Sequence, residues 1–271
     1  MATTFLFWNL NQKPLQSVIA SLVLQYEVDV LMLAECSIPP DVLLRTLNRP
    51  GEADYHYAPG ICEKIQIFTR FTAKFVQPVF EANRLTIRHL KLPGQTDVLL
   101  AVIHGISKRN YSDEGQIFEA EKLSNTIKNT ERRIGHTRTV LVGDLNMNPF
   151  ESGMVSAGGL HALMSRGVAA RGTRIVQGET YPFFYNPMWS LLGDASPGPP
   201  GTYYYQSTNH KVFFWNMFDQ VLVRPELLDR FSNEDLAIAQ SDGNNSLLSP
   251  SGLPNKEHYS DHLPIFFKLK L

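Results

Sequence analysis

The 271-residue sequence predicts an α/β fold in which two sheets pack together with helices outside. Short β-branched and aliphatic runs recur along the chain, segments with helical spacing separate some of them, and others follow one another through short turns. Hydrophobic residues at 43% supply a core for such a fold, and charged residues at only 19% argue against long disordered tails. With no internal repeat or linker, residues 1–271 read as one domain.

TTFLFW opens the chain as a strand, and Pro14 to Tyr26 follows as a helix with Leu15, Val18, Ile19, Leu22 and Val23 on one face. VDVLMLAE reads as a buried strand ending in an acid, with a short helix from Pro40 to Leu47 beyond it. KIQIFTRF, KFVQPVF, RLTIRHLKL and DVLLAVIHG read as consecutive strands. A long helix from Glu114 to Ile134 sets Ile117, Ala120, Leu123, Ile127 and Ile134 near helical spacing and leads into a strand at Thr139. From Arg171 to Trp215 the pattern loosens, and the Pro/Gly-rich, then aromatic GDASPGPPGTYYYQSTNH reads as a long surface excursion. FDQVLVRPELL restores a strand, SDGNNSLLSPSGLPNKEHYSDH is a second loop, and LPIFFKLKL is a final strand.

The formal net charge of -1 argues against a protein that coats nucleic acid, but not against an enzyme meeting phosphate through a metal and a few local cations. Cys36 and Cys62 are too few for a disulfide framework or a zinc knuckle. The opening MATTFLFWNLNQKPL lacks a basic leading segment, and Asn9 interrupts its apolar run. Neither a secretory signal nor a membrane span is expected, so the expectation is a cytoplasmic protein, with a monomer favoured.

Polar residues recur where strands end. Asn9 and Asn11 follow FLFW, Glu35 follows VLMLA, and His104 follows LLAVI. In VLVGDLNMNPF, Gly143 ends an apolar run and Asp144 and Asn146, alternating along a strand, point the same way. Asp219 opens VLV, and Asp261 and His262 precede LPIFF. Singly, each has a plain alternative: a turn residue, an exposed acid, a structural histidine, a cap. Jointly they suit phosphate-ester cleavage. A carboxylate-held divalent ion neutralises phosphate, a second carboxylate takes a proton from water, and an imidazole stabilises or protonates the charge that builds. Hard oxygen ligands favour magnesium, with manganese as the alternative; zinc calls for more His and Cys.

FWNLN, LMLAE, AVIHG, VLVGDLNMNP, MFDQVLV and YSDHLPI, spanning residues 5 to 267, resemble in order the motifs of the endonuclease/exonuclease/phosphatase superfamily. GDLN with a terminal SDH is the specific part, and His104 resembles the deoxyribonuclease-like branch. The resemblance implies a four-layer α/β sandwich, two mostly antiparallel sheets flanked by helices. It implies that Glu35 is the main metal ligand, that Asn11 sits beside the metal where many relatives carry Asp, and that Asp261 also lies at the metal. It further implies that Asn9 orients the catalytic carboxylate and phosphate, Asp144 aligns or deprotonates water, and Asn146 contacts a phosphate oxygen. His262 would bind the scissile phosphate or act as acid/base, oriented by Asp261, with Asp219 a supporting acid. Arg70, Lys108 and Arg109 are the nearest cations for a phosphate backbone, and Tyr203 in the GTYYY loop is a candidate for stacking on bases.

Three readings follow: a metal-dependent nuclease acting on DNA or RNA, a phosphatase or phosphodiesterase for a small or lipid phosphate, and a silent binding module on the same fold. The first is favoured by His104 and the aromatic loop, with Trp189 and Trp215 near it in sequence.

Overall fold

Residues 2–49, 54–108 and 111–271 are described by a computed structural model. Its strands are β1 (Ala2–Asn9), β2 (Val30–Ala34), β3 (His56–Tyr57), β4 (Ile65–Thr69), β5 (Val76–Glu81), β6 (Leu85–Leu90), β7 (Val98–His104), β8 (Thr139–Asp144), β9 (Ala162–Leu163), β10 (Thr173–Val176), β11 (Glu179–Pro182), β12 (Phe184–Tyr185), β13 (Tyr203–Tyr204), β14 (Trp215–Asn216), β15 (Asp219–Val223), β16 (Ala237–Ile238) and β17 (Ile265–Lys270). The longer helices are α1 (Gln16–Gln25), α2 (Pro40–Leu47) and α3 (Asp113–Ile134).

A six-stranded sheet runs β16-β17-β1-β2-β4-β3, and a seven-stranded sheet runs β5-β6-β7-β8-β15-β12-β9. The pairs β1–β2 and β7–β8 are parallel, and α1 and α3 make the crossovers such pairs need. The pairs β1–β17, β6–β7 and β8–β15 are antiparallel. β1 packs on β8 and β15, and β2 and β4 pack on β7, so the sheets lie face to face.

Alternation sorts the seven-stranded sheet between two clusters. Val98, Leu100, Val102, Val140, Val142, Val221 and Val223 join the large core shared with the other sheet. The intervening Leu99, Ala101, Ile103, Leu141 and Leu222 meet Ala120, Leu123 and Ile127 of α3 on the opposite face. On the other side of the molecule Ile19, Leu22 and Val23 of α1 join the large core with β1 and β2. Two packed sheets with helices around them form the expected α/β sandwich.

Two features differ from the sequence expectation. The strand does not stop at Gly143 but continues to Asp144; Gly143 has φ 152°, and a Cβ there would lie 2.0 Å from the Ile103 carbonyl oxygen. Only glycine lets β7 and β8 approach at that point. The aromatic excursion is not all surface, since it holds β13, which pairs with β14 beyond it, and the fully buried Thr202. Thr202 Oγ1 accepts the Asp219 N–H at 3.1 Å, and its carbonyl accepts the Leu263 N–H at 2.8 Å.

Cys36 and Cys62 are free thiols. Among the described residues, no helix is long and apolar enough to cross a membrane.

Candidate active site

The inward parity that fills the core continues past it. On β7, Val98, Leu100 and Val102 are followed by His104; on β8, Val140 and Val142 by Asp144; the reversed β15 starts at Asp219 before Val221. The registers pair His104 with Asp144 and Asp144 with Asp219, so the three lie on one rung across adjacent strands.

The six-stranded sheet supplies the facing groups. Asn9, the last residue of β1, donates its Nδ2–H to Asp144 Oδ2 at 3.0 Å. Ser260 Oγ donates to the Asn9 carbonyl at 2.6 Å and accepts the His262 N–H at 3.1 Å, while Trp8 Nε1–H donates to the His262 carbonyl at 2.8 Å. These bonds set His262 over the rung. Its Nδ1 lies 2.8 Å from Asp219 Oδ2, and its Nε2 lies 4.0 Å from Asp144 Oδ2. His104 Nε2 lies 3.8 Å from that oxygen and 3.0 Å from Glu35 Oε1. Glu35 leaves β2 with φ 46°, a left-handed conformation that costs a residue with a Cβ roughly 1–2 kcal/mol. Strain of this kind gathers at working sites.

The electrostatics follow from burial and pairing. Burial opposes the charge on His262, but Asp219 and Asp144 overcome it and raise its pKa to about 10. The ring therefore carries both protons at neutral pH, one directed to Asp219. Burial pushes the Asp144 carboxyl above the usual carboxylate range, although the charges of His262 and His104 pull the other way. The hydrogen bond from His104 holds the Glu35 carboxyl below its usual range against partial desolvation. A strained, ionised acid thus stands beside a desolvated acid and an imidazolium.

These groups open into a cleft of about 740 Å³, lined by Asn9, Asn11, Glu35, His104, Asp144, Asn146, Tyr203, Asp261 and His262 among others. The Tyr203 ring lies 4.7 Å from that of His262, centroid to centroid. Lys108 also lines the cleft, ion-paired with Glu151.

Some expectations are revised. The acid on His262 Nδ1 is Asp219, at the start of β15, not the adjacent Asp261, because the register of β15 on β8 brings Asp219 under the ring. Asn146 does not continue the alternation of Asp144. The strand ends at Asp144, Asn146 turns to φ 51°, and its backbone N–H donates to Asp144 Oδ1 at 2.9 Å. Arg70 follows β4 at the edge opposite the cleft and faces Asp29 at 3.9 Å, so it does not reach the site. Arg109 lies outside the described residues.

Sequence reasoning missed Lys64, Arg84 and Lys211, loop cations that line the cleft with Lys108. No periodicity marks loop cations, so only the assembled fold reveals them. It also missed Ser260, although its place in the SDH triplet was a usable signal.

The donor set fits a hard divalent cation. Asp261 Oδ1 and Asp219 Oδ1 are buried without a hydrogen-bond partner, and Glu35 faces the cleft ionised. Glu35, Asn11 and Asp261 offer oxygen donors at the cleft.

No curated protein matches the chain. Solved structures do. TDP2 from C. elegans superposes with a TM-score of 0.59 at 15% identity, covering 100% of this chain and 76% of that one. D. rerio TDP2 complexed with single strand DNA product gives 0.57 at 16% identity, covering 100% and 99%. The endonuclease domain of TRAS1, a telomere-specific non-LTR retrotransposon, gives 0.53 at 15%, covering 99% of each. Likeness at such identities shows a shared fold. A sequence model of the Endonuclease/Exonuclease/phosphatase family matches residues 6–262, a span that begins in β1 and ends on the imidazole above the rung, and the chain belongs to that family.

Proposed function

We propose that the protein hydrolyses phosphodiester bonds in nucleic acid with a divalent metal. The convergence of Asn9 and His262 from one sheet on the His104–Asp144–Asp219 rung of the other, at the floor of a cation-rimmed cleft, carries the reading.

A phosphodiester lying over the rung meets the His262 Nε2–H, which is cationic and backed by Asp219. That proton stabilises the charge growing on the phosphorane oxygens and can pass to the leaving oxygen. Asp144, held by Asn9 and by the Asn146 N–H, takes the proton of the attacking water, its raised pKa making it the stronger base. Water oxygen bonds to phosphorus, the ester P–O bond breaks, and a phosphomonoester and an alcohol leave. Magnesium or manganese held by Glu35, with Asn11 and Asp261 beside it, would supply charge neutralisation at the phosphate oxygens. Lys64, Arg84, Lys108 and Lys211 draw in a polyanion, and Tyr203 beside His262 offers a ring to a base or sugar. The fold-mate TDP2 of D. rerio carries a single strand DNA product, which supports nucleic acid as that polyanion.

The test is incubation with plasmid, single-stranded DNA, RNA and bis-p-nitrophenyl phosphate, in magnesium, manganese or chelator. Cleavage of a nucleic acid that stops in chelator is expected. Turnover of the small ester or of an inositol phosphate, with every nucleic acid intact, would instead assign a small-ester enzyme.

A further inference from the structure

The cleft does not end at the catalytic rung. Past Asp113, Lys211 and Phe213, which line both spaces, it opens into a second pocket of about 290 Å³ between the start of α3 and the 147–153 segment. Ile117 and Met147 line it, together with Phe150 and Phe213, whose rings stand 5.1 Å apart at 66°. Phe150 is 39% exposed and Phe213 is 46% exposed, and Trp189 backs Phe150 edge-on at 6.4 Å. A braced pair of exposed rings with polar neighbours marks a binding surface more than a packing defect.

The wall between the two spaces is tied to the catalytic turn. Gln116 Nε2 donates to the Asn146 carbonyl at 2.8 Å, and its Oε1 accepts from Lys108 Nζ at 3.1 Å. Lys108 also pairs with Glu151 on the far side. At the mouth, Lys211 faces Asp113 at 3.5 Å, both largely exposed and therefore exchangeable for a ligand.

We propose that this pocket holds an unpaired nucleobase flanking the scissile phosphodiester, stacked on Phe213 with its edge toward Phe150, and with Lys211 at the adjoining phosphate. The inference rests on the phosphodiester reading above and adds a preference to it. A base enters such a pocket only once it leaves its helix, which costs a few kcal/mol in a duplex and little in a single strand or frayed end. The aromatic walls and Lys211, the cation shared with the cleft, fit a strand that is flat and apolar at its bases and anionic along its backbone.

The experiment measures anisotropy of a short labelled single strand, the same strand with every base removed, and the matching duplex, all in chelator so that nothing turns over. Expected is roughly tenfold weaker binding of the intact strand to Phe213→Ala, the size of one lost stacking contact, with the baseless strand bound as before. Phe213→Trp restores the affinity, and the duplex binds more weakly than the single strand. Equal losses for the intact and baseless strands, or a duplex bound as tightly as the single strand, would overturn the assignment. Because Phe213 is exposed, a melting curve separates loss of the ring from loss of fold. If the wild type cleaves the strand in manganese yet Phe213→Ala binds it normally, the pocket assignment fails and the phosphodiester reading stands. If no ester is hydrolysed and no strand binds, both fail together.

Discussion

Asp219 is fully buried, and its Oδ2 meets His262 Nδ1 at 2.8 Å, so the imidazole keeps a proton that burial alone would strip. Asp219→Asn keeps the shape and removes the charge. The expected result is a kcat lower by about 10²–10⁴-fold, with the alkaline limb of its pH profile moved to lower pH. Stability must follow the same linkage. The folded pKa of about 10 lies above the unfolded value of about 6.5, so the stabilisation is whole below pH 6.5 and fades as pH rises through 10. Melting curves across that window should slope downward for the wild type and less so for Asp219→Asn; parallel slopes would detach His262 from Asp219. The family resemblance implied Asp261 for this role. Only the register, which sets β15 beside β8, brings Asp219 to the ring.

At the scale of elements, the site depends on how α3 is fastened beneath it. Arg224, just past β15, makes a two-pronged pair with Glu131 of α3, Nε to Oε1 at 2.8 Å and Nη2 to Oε2 at 3.2 Å. Its Nη1 donates to the Phe183 carbonyl at 2.9 Å, and its guanidinium lies 3.8 Å over the Phe184 ring. Both ends are buried, so Glu131→Ala leaves an uncompensated cation and should cost about 3–5 kcal/mol by urea unfolding. A loss under about 1 kcal/mol would mean that the pair is solvated. At the other end of the seven-stranded sheet, Asp97 accepts from His89 Nε2 at 2.7 Å and from Arg138, and Arg138 reaches Glu226 at 2.9 Å. The Arg138 N–H donates to His136 Nδ1 at 3.2 Å, which leaves the ring proton on Nε2, facing Asp97. Burial and the Arg138 charge hold that imidazole below the usual histidine range, so it faces Asp97 uncharged at neutral pH. The helices were legible because an amphipathic period survives any tertiary context: α2 runs from Pro40 to Leu47 as read, and α3 begins one residue before Glu114. The two-residue strands β3, β9, β12, β13, β14 and β16 were not legible, since a pair of residues carries no period.

At the scale of the whole molecule, function requires two sheets to present their ends at one place. Polar residues at strand ends were readable because each borders an apolar run, and Asn9, His104, Asp144, Asp219 and His262 do meet. Arg70 misled because a residue past a strand can lie at either edge, and antiparallel pairing of β4 with β2 carries it to the edge away from Glu35. The cations on the cleft rim come from separate loops, so net charge concealed them. The central claim is that this convergence is a hydrolytic centre with Asp144 at its middle. The most direct measurement is the rate of bis-p-nitrophenyl phosphate hydrolysis in manganese by the wild type and by Asp144→Asn, each with its melting temperature. A rate lower by about 10²–10⁴-fold is expected, with melting points within about 4 °C of one another. An Asp144→Asn protein that folds and hydrolyses the ester at the wild-type rate would contradict it.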